Sequence, residues 1–400
     1  MRILFVAMAN SIHTARWMHQ LVDQGWDIHL FPVDFTDIHP DLRNLTFHNF
    51  LYYRPLAADH SVRVVGSWPF PRGFNTARRI AERLGPRWSD RAWQLARAIR
   101  KLRPDIVHSM EMQHAGYLTL DARNQFDGPF PPWIYSSWGS DLFYFGRLPE
   151  HEQRIRAVLG TCDFHIADCQ RDVRLARKFG FEGEALGVLP GGGGFDIERM
   201  LQFRQAAPIS ARKVIALKGY HDDNWAGRAL VALEALHMCA SYLAEYEIAV
   251  YLAGPNVRYA AEYVSRITGL RVTVLPQSSH DQVLKAMGRA RIAIGVSVSD
   301  GTPNTMLEAM VMGAFPIQSD TVSTAEWITH GENGLLVPPE DPQAIASAIR
   351  RALTDDRLVE RAAEINLQLA HERVADSVVR PRVIEIYEHV ARQAALHRCN

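Results

Sequence analysis

Short apolar runs alternate with amphipathic segments along the first half of the chain. The opening residues, MRILFVAMANSIHTARWMHQLVDQGWDIHLFPV, predict a buried strand, a turn, an amphipathic helix and a second strand. The segment DRAWQLARAIRKL places Ala92, Leu95 and Ile99 on one face, which predicts a further helix. Additional strands are predicted over residues 105–110, 132–138, 162–169 and 184–190. A run of glycines, residues 191–194, follows the last of them.

The same alternation restarts after Pro208. Strands are predicted over residues 212–219, 248–253, 271–275, 291–296 and 314–319. A helix is predicted over residues 228–243, and the pattern is helical from residue 355 to the end. Strands that alternate with helices indicate α/β domains, with parallel sheets covered on both faces. We therefore expect two doubly wound domains: residues 1–205 together with a C-terminal helix at about 376–400, and residues 206–375.

Composition narrows the class of protein. The 400 residues include 47% hydrophobic and 22% charged residues, as in an ordinary soluble protein. Lys plus Arg and Asp plus Glu both number 44, and this zero net charge argues against a protein that binds nucleic acid through excess positive charge. The cysteines form no C-x-x-C pair, and residues 3–8 are too short an apolar run for a signal peptide. We expect a cytoplasmic protein with reduced thiols.

The segment SDGTPNTMLEAMVMGAFPI, which begins at Ser299, carries candidate chemistry. Thr302 is a suitable N-cap and Pro303 a suitable first helical residue. The start of this helix is suited to bind an anionic phosphate. Asp300 is then placed to accept hydrogen bonds from neighbouring hydroxyls, and Glu308 to bind a second pair, such as those of a ribose. The alternative is that Asp300 is a solvated turn residue and Glu308 a surface residue of the helix.

This segment closely resembles the signature of the retaining glycosyltransferases of family 4, in which an acid and a glutamate flank a Gly-x-Pro turn. The later AEWITHGENGLLVPPEDPQAIASAI is similar to the family's next segment, and NSIHTARW and LRPDIVHS are similar to its N-terminal domain. The resemblance implies the GT-B architecture, in which two Rossmann-like, doubly wound domains face each other and a C-terminal helix crosses back.

The resemblance also implies residue roles in binding a nucleotide-sugar donor. Glu308 corresponds to the glutamate that holds the ribose. Asp300 stands where the family's first acid touches the sugar hydroxyls, and it is one methylene shorter than a glutamate. The backbone that covers the sugar and diphosphate corresponds to Gly301, Thr302, Pro303, Asn304 and Thr305.

The segment LKGYHDDNWAGRALVALEAL contains two further candidates. The family carries an Arg and a Lys here that contact the diphosphate, and Lys218 and Arg228 are interpreted as the equivalent pair. Cations here would neutralise the departing diphosphate, which is the work of a metal ion in other enzymes. The chain contains no Asp-x-Asp pattern, which supports metal independence. The alternative is a solvated lysine at a strand end and an arginine on a helix surface.

The segment SSWGSDLFYFG differs from the family's His-Gly-x-Asp, because Trp138 replaces the histidine while Gly139 and Asp141 match. A tryptophan cannot transfer protons but can stack on a sugar ring. Asp141 either binds hydroxyls of the substrates or caps a helix.

Four weaker candidates follow other predicted strands. Asn10 and His13 occupy the first strand-to-helix turn, which the family places near the diphosphate. Glu111 and His114 are candidates for the acceptor site. His13 is equally interpreted as a residue that only starts a helix, and Glu111 and His114 as residues of a solvated loop.

A basic stretch runs from Arg72 to Arg103. It contains ten basic and two acidic residues, interleaved with tryptophans. This composition favours peripheral contact with an anionic membrane, or a phosphate-bearing acceptor. The alternative is a solvated basic helix face.

Together the sequence predicts a metal-independent, retaining glycosyltransferase that moves a sugar from a UDP-, GDP- or ADP-sugar to a hydroxyl acceptor. No other cofactor is expected. The acceptor is a glycan, a glycolipid or a small molecule. Two alternatives remain: a nucleotide-sugar epimerase or hydrolase on the same fold, and a non-catalytic module that binds sugar nucleotides.

Overall fold

The computed structural model describes residues 1–49, 59–66, 79, 83, 90–221, 225–276, 279–321 and 323–399. The chain forms two compact units. Unit 1 comprises Met1–Gly194 and Val379–Asn400, and unit 2 comprises Phe195–Val378. Most of the basic stretch, including Arg72, Arg78 and Arg87, lies outside the described residues.

Unit 1 contains an eight-stranded sheet with the order β4-β3-β2-β1-β5-β6-β7-β8. Its strands are β1 (Arg2–Ala7), β2 (Asp27–Pro32), β3 (Leu45–His48), β4 (Val62–Val65), β5 (Ile106–Met110), β6 (Trp133–Ser136), β7 (Phe164–Ala167) and β8 (Glu184–Val188). All neighbouring strands pair in parallel. Every residue of β5, β6 and β7 is buried, as expected for a parallel sheet covered on both faces.

The helices of unit 1 lie between these strands. They are α1 (Ile12–His19), α2 (Arg91–Leu102), α3 (Tyr117–Asn124), α4 (Pro149–Leu159) and α5 (Gln170–Lys178). A π-helical turn, Met112–Gly116, precedes α3. Asp90 caps α2 by accepting hydrogen bonds from the amides of Ala92 and Trp93.

Unit 2 contains a six-stranded parallel sheet with the order β11-β10-β9-β12-β13-β14. Its strands are β9 (Val214–Lys218), β10 (Glu247–Tyr251), β11 (Arg271–Val274), β12 (Ala290–Gly295), β13 (Phe315–Ser319) and β14 (Leu335–Val337). Its helices are α6 (Ile197–Leu201), α7 (Ala229–Met238), α8 (Pro255–Thr268), α9 (His280–Arg289), α10 (Asn304–Met312), α11 (Pro342–Thr354) and α12 (Asp356–Arg373).

The last helix, α13 (Asp376–Cys399), begins in unit 2 and continues into unit 1. Val379, Val383 and Tyr387 are buried in the core of unit 1. The Tyr387 hydroxyl accepts a hydrogen bond from Trp17 Nε1 at 2.8 Å and lies 2.7 Å from His108 Nδ1. The prediction of two doubly wound α/β units, with a C-terminal helix that returns to the N-terminal unit, is confirmed.

The units divide between Gly194 and Phe195, earlier than the boundary that the sequence predicts after residue 205. The reason is that Phe195, Ile197 and Met200 are buried in a core of unit 2. Phe195 also exchanges backbone hydrogen bonds with the 374–376 segment of that unit. The short α6 therefore packs as part of unit 2.

The structure differs from the sequence prediction at three places. The helix predicted over residues 228–243 ends earlier, because α7 stops at Met238 and a short 3-10 turn follows. Strands β3 and β4 were not predicted, because each has only four residues and a mixed burial pattern. Helix α10 begins at Asn304, so its N-cap is Pro303 and not Thr302, and Pro303 is not its first helical residue.

Among the residues that the structure describes, no helix is both long enough and apolar enough to cross a lipid bilayer. Cys162, Cys169 and Cys239, the cysteines whose side chains the structure describes, are buried and form no disulfide.

Candidate functional site

The strand order of unit 2 creates a crevice between β9 and β12. The chain runs outward from β9 through β10 to β11 on one side, and from β12 through β13 to β14 on the other. In such sheets the loops that follow the two central strands diverge, and ligands bind at this point. Lys218 ends β9, and Asp300 lies in the loop that follows β12.

The structure brings Lys218 and Asp300 together. Lys218 Nζ lies 3.7 Å from Asp300 Oδ2, with side chains 13% and 30% exposed. The ammonium also lies 4.2 Å from the centre of the Tyr220 ring. A small cavity at this point is lined by Lys218, Tyr220, Gly295, Val296, Ser297, Asp300, Pro303, Gln318, Ser319, Thr321 and Thr324. A cation beside hydroxyl groups and a carboxylate is suited to a ligand that carries both phosphate and hydroxyls.

The turn from Gly301 to Pro303 is buried and is held by the segment that follows β13. Ser323 Oγ donates to the Gly301 carbonyl at 2.7 Å, and Trp327 Nε1 donates to Thr302 Oγ1 at 3.2 Å. Asn304 and Thr305 then begin α10. The positive end of the α10 dipole therefore starts at a fixed turn beside the cavity.

Glu308 is buried on α10 and bonds to a histidine. His280 Nε2 lies 2.7 Å from Glu308 Oε1. Burial, together with the nearby Glu308 charge, raises the pKa of Tyr251 at the end of β10. Glu308 is thus an interior acceptor and not a surface residue of the helix, which was the alternative that the sequence left open.

Arg228 does not line this cavity. Its Nε donates to Glu340 Oε1 at 2.9 Å, and its Nη1 donates to the carbonyls of Trp225 and Gly227. Of the expected cationic pair, Lys218 is therefore the member at the crevice. The intervening loop includes residues 222–224, which lie outside the described residues.

Unit 1 has its own switch point between β1 and β5. The loop after β1 carries the exposed Asn10 and, at the start of α1, His13. The imidazole of His13 lies 5.3 Å from the Trp138 ring, between centroids. The loops that follow β1 and β6 thus meet at one edge of the sheet, and they bring two of the predicted residues together.

Asp141 lies inside the loop that follows β6 and is buried. Its Oδ2 accepts hydrogen bonds from the amides of Met112 and Trp138, at 3.0 and 2.8 Å, and from the Tyr135 hydroxyl at 3.0 Å. Burial and the Glu111 charge raise the pKa of Asp141, although the bonds from Trp138 and Tyr135 act in the opposite direction. The carboxylate therefore joins the loops after β5 and β6. The sequence interpretations, substrate binding and helix capping, do not include this role.

Gly139 is fixed by two other groups of unit 1. Its amide donates to Asp168 Oδ2 at 3.3 Å, and its carbonyl accepts from Arg171 Nη2 at 2.8 Å. Arg171 also pairs with the buried Asp172 at 2.8 Å. The backbone on both sides of Trp138 is thus anchored to the interior.

Glu111 caps the π-helical turn Met112–Gly116. It is therefore not a residue of a solvated loop, which is the alternative that the sequence leaves open. Its carboxylate accepts hydrogen bonds from the amides of Gln113, His114 and Ala115, and its backbone has a φ of 84°. A positive φ costs a non-glycine residue energy, and such residues cluster at functional sites. The hydrogen bond to Glu111 raises the pKa of His114, whose side chain is exposed.

Sequence reasoning missed His280, Tyr251 and Ser323. A single histidine at a helix start, a tyrosine at a strand end and a serine in a loop belong to no pattern. Within the described part of the chain, one group of side chains is dense enough to hold a metal ion, namely Asp168, Cys169 and Asp172. Because Asp172 already pairs with Arg171, we assign no metal to it.

Replacing Asp141 by Ala should destabilise unit 1 by about 3 kcal/mol or more, because three buried donors would lose their acceptor. The measurement is urea unfolding followed by tryptophan fluorescence. Asp121→Ala is the matched control, since Asp121 forms an exposed pair with Arg154 and should cost less than about 1 kcal/mol. Equal stability of the two variants would contradict a structural role for the Asp141 carboxylate and would favour the alternative that it binds substrate hydroxyls.

Solved structures are similar in fold to this chain over almost its whole length. Sucrose-phosphate synthase from Thermosynechococcus elongatus superposes with a TM-score of 0.69 at 17% identity, covering 97% of this chain and 98% of that one. HepE of Anabaena, in complex with UDP-glucose, superposes with a TM-score of 0.66 at 15% identity, covering 97% and 100%. These similarities concern the fold.

A curated relative matches only locally. An exopolysaccharide phosphotransferase of Streptomyces coelicolor is 36% identical over 112 residues, which are 27% of this chain and 12% of that protein. The match therefore spans about an eighth of the relative's length.

Family models match each half of the chain. Residues 11–192 match the glycosyl transferase 4-like domain, and residues 213–355 match the glycosyl transferases group 1. The two matches follow one another in the order of the two units. With both domain types and the shared architecture present, the chain is a glycosyltransferase of the GT-B type.

Proposed function

We propose that this glycosyltransferase is retaining and metal-independent, and that it moves a sugar from a nucleotide-diphosphate sugar to a hydroxyl acceptor. The observation that carries the proposal is the 3.7 Å approach of Lys218 Nζ to Asp300 Oδ2 at the carboxyl ends of β9 and β12. The N-terminus of α10 lies beside the same cavity, which its N-cap Pro303 lines. A cation and a helix N-terminus both attract a diphosphate.

The donor is proposed to lie along α10. Lys218 and the backbone from Gly301 to Thr305 contact the diphosphate, Asp300 accepts hydrogen bonds from the sugar hydroxyls, and Glu308 binds the ribose. The complex of HepE with UDP-glucose supports a nucleotide sugar as donor. UDP-, GDP- and ADP-sugars all fit this scheme, because the groups involved contact no base.

The reaction is proposed to proceed without a covalent intermediate. As the sugar–phosphate bond breaks, the leaving phosphate oxygen takes the proton of the acceptor hydroxyl, which attacks the same face of the sugar. Lys218 stabilises the charge that develops on the diphosphate, and this interaction is stronger in a partly buried site than in water. No cofactor beyond the donor is needed in this scheme.

Unit 1 is proposed to hold the acceptor. Trp138 offers a flat surface for a sugar ring, and His13 packs beside it. Asp141 and Asp168 position this loop by accepting hydrogen bonds from the amides of Trp138 and Gly139, and Glu111 caps the turn that follows β5. Asn10 and the exposed His114 are the polar side chains proposed to contact substrates directly.

The predicted result for Glu308→Gln is a donor affinity weakened by about 1.5–3 kcal/mol, or roughly tenfold to a hundredfold, because a charge-assisted bond to the ribose is lost. Calorimetry with UDP, GDP and ADP first identifies the base. Glu234→Gln is the control, since Glu234 forms an exposed pair with His237 in the same unit.

Unchanged affinity in folded Glu308→Gln would refute the ribose site. Release of free sugar without any acceptor would instead favour the hydrolase alternative. Tight donor binding with no turnover on any acceptor would favour the non-catalytic module.

Contact with an anionic membrane through the stretch from Arg72 to Arg103 is also proposed. Its ten basic and two acidic residues concentrate positive charge in a chain whose net charge is zero. In the described part of the stretch, the Arg97 guanidinium lies 5.5 Å from the centre of the Trp93 ring. Lipid headgroups favour such pairings of basic and aromatic side chains.

This contact predicts co-sedimentation with vesicles that contain anionic lipid, at low salt and not at high salt. Replacing Arg78, Arg79, Arg83 and Arg87 by Gln should abolish binding, since each contributes about 1 kcal/mol. A control variant replaces four exposed arginines of unit 2, Arg258, Arg266, Arg357 and Arg361. If the wild type stays in solution at low salt, or if the control loses as much binding, the contact is refuted.

A further inference from the structure

The buried carboxylate of Glu308 is held by His280, the first residue of α9. His280 Nε2 lies 2.7 Å from Glu308 Oε1. The histidine side chain is 35% exposed, whereas that of Glu308 is 4% exposed. The imidazole therefore reaches solvent, and the carboxylate beside it barely does.

The direction of this hydrogen bond follows from the chemistry of the pair. An ionised carboxylate can only accept a hydrogen bond, so Nε2 carries the hydrogen and donates the hydrogen bond to Oε1. A buried carboxylate is costly unless it is hydrogen-bonded. A bond of this length to a helix-anchored imidazole also fixes the plane of the carboxylate, which otherwise rotates about the last side-chain bond.

A fixed carboxylate matters for a ligand with paired hydroxyls. The 2′- and 3′-hydroxyls of a ribose lie side by side, and each can donate to a carboxylate oxygen. Such a site loses affinity when one hydroxyl is missing, because a buried polar group is then left unpaired.

We propose that His280 is a positioning and specificity residue of the donor site: it orients the Glu308 carboxylate toward the ribose diol and so selects ribonucleotides over deoxyribonucleotides. This inference rests on the proposed function, since it assumes that Glu308 binds the ribose. The inference adds to the donor site a residue from a second helix, α9. It also states that the site distinguishes nucleotides by their sugar, ribose or deoxyribose.

The test begins with calorimetry using UDP, GDP and ADP, and the tightest binder is carried forward with its 2′-deoxy and 3′-deoxy forms. His280→Ala should weaken the ribonucleotide about tenfold and leave the affinities of both deoxy forms within twofold of wild type. In steady-state assays the donor KM should rise while kcat stays within about threefold. His237→Ala, which removes the exposed partner of Glu234, should change none of these values.

Two amide variants separate positioning from folding. Gln places its amide nitrogen where Nε2 stands in histidine, so His280→Gln should retain affinity within about threefold. Asn is too short to reach Glu308, so His280→Asn should behave like His280→Ala. Equal behaviour of the Gln and Asn variants would overturn the role of the hydrogen bond, even if the Ala variant does not fold.

A double-mutant cycle separates this inference from the proposed function. If His280 acts through Glu308, adding His280→Ala to Glu308→Gln should cause no further loss of affinity. Loss in Glu308→Gln but none in His280→Ala overturns the inference alone. No loss in Glu308→Gln overturns the ribose site and the inference with it. Equal weakening of ribo and deoxy forms by His280→Ala would place His280 on another part of the ligand and overturn its role as a selector.

Discussion

The strand order of unit 2 determines where its polar groups can meet. β9 and β12 are neighbours in the sheet, with Leu217 opposite Ile294, although several elements separate them in sequence. Their following loops must therefore diverge, and the side chains at the two strand ends face a common crevice. The lysine and the aspartate approach each other because of this backbone arrangement.

Closely packed side chains hold the residues that line the crevice between β9 and β12 in place. A Cβ on Gly295, at the end of β12, would lie 2.7 Å from the Gln318 amide oxygen, so a side chain there would displace a residue that lines the cavity. Ser323 and Trp327 hold the turn before α10 from the other side. The same principle operates in unit 1, where buried carboxylates hold the loop that presents Trp138. Interior polar groups in both units thus fix the loops at the carboxyl ends of the strands.

The sequence predicts the fold class, the central strands and part of the site. Apolar runs bounded by glycine and proline predicted the central strands, because a strand buried on both faces must be apolar throughout. The spacing of Asp300 and Glu308 around a Gly-x-Pro turn located the crevice, because a helix start and its two acids are local in sequence. Strands β3 and β4 are not predicted, because four residues of mixed burial at a sheet edge show no clear alternation of apolar and polar positions.

The remaining site residues depend on contacts between distant segments. The bond from His280 to Glu308 joins two helices, and nothing near His280 in the sequence indicates its partner. Asp141 carries a recognisable Gly-x-Asp spacing, yet only the structure reveals that its carboxylate faces Met112, Trp138 and Tyr135. Arg228 follows the expected strand, but its guanidinium turns to Glu340, which lies far along the chain. Side-chain direction is set by tertiary neighbours, and residue spacing does not encode it.

Lys218 is proposed to stabilise the donor diphosphate in place of a metal ion. The most direct test is calorimetric titration of the tightest of UDP, GDP and ADP, in EDTA, into the wild type and Lys218→Ala. Lys213→Ala serves as the control, since Lys213 forms an exposed pair with Glu245 in the same unit. We expect tight binding by the wild type and the control in EDTA, and binding at least tenfold weaker in Lys218→Ala. Binding that requires added magnesium or manganese, or equal affinity in Lys218→Ala, would contradict this role of Lys218.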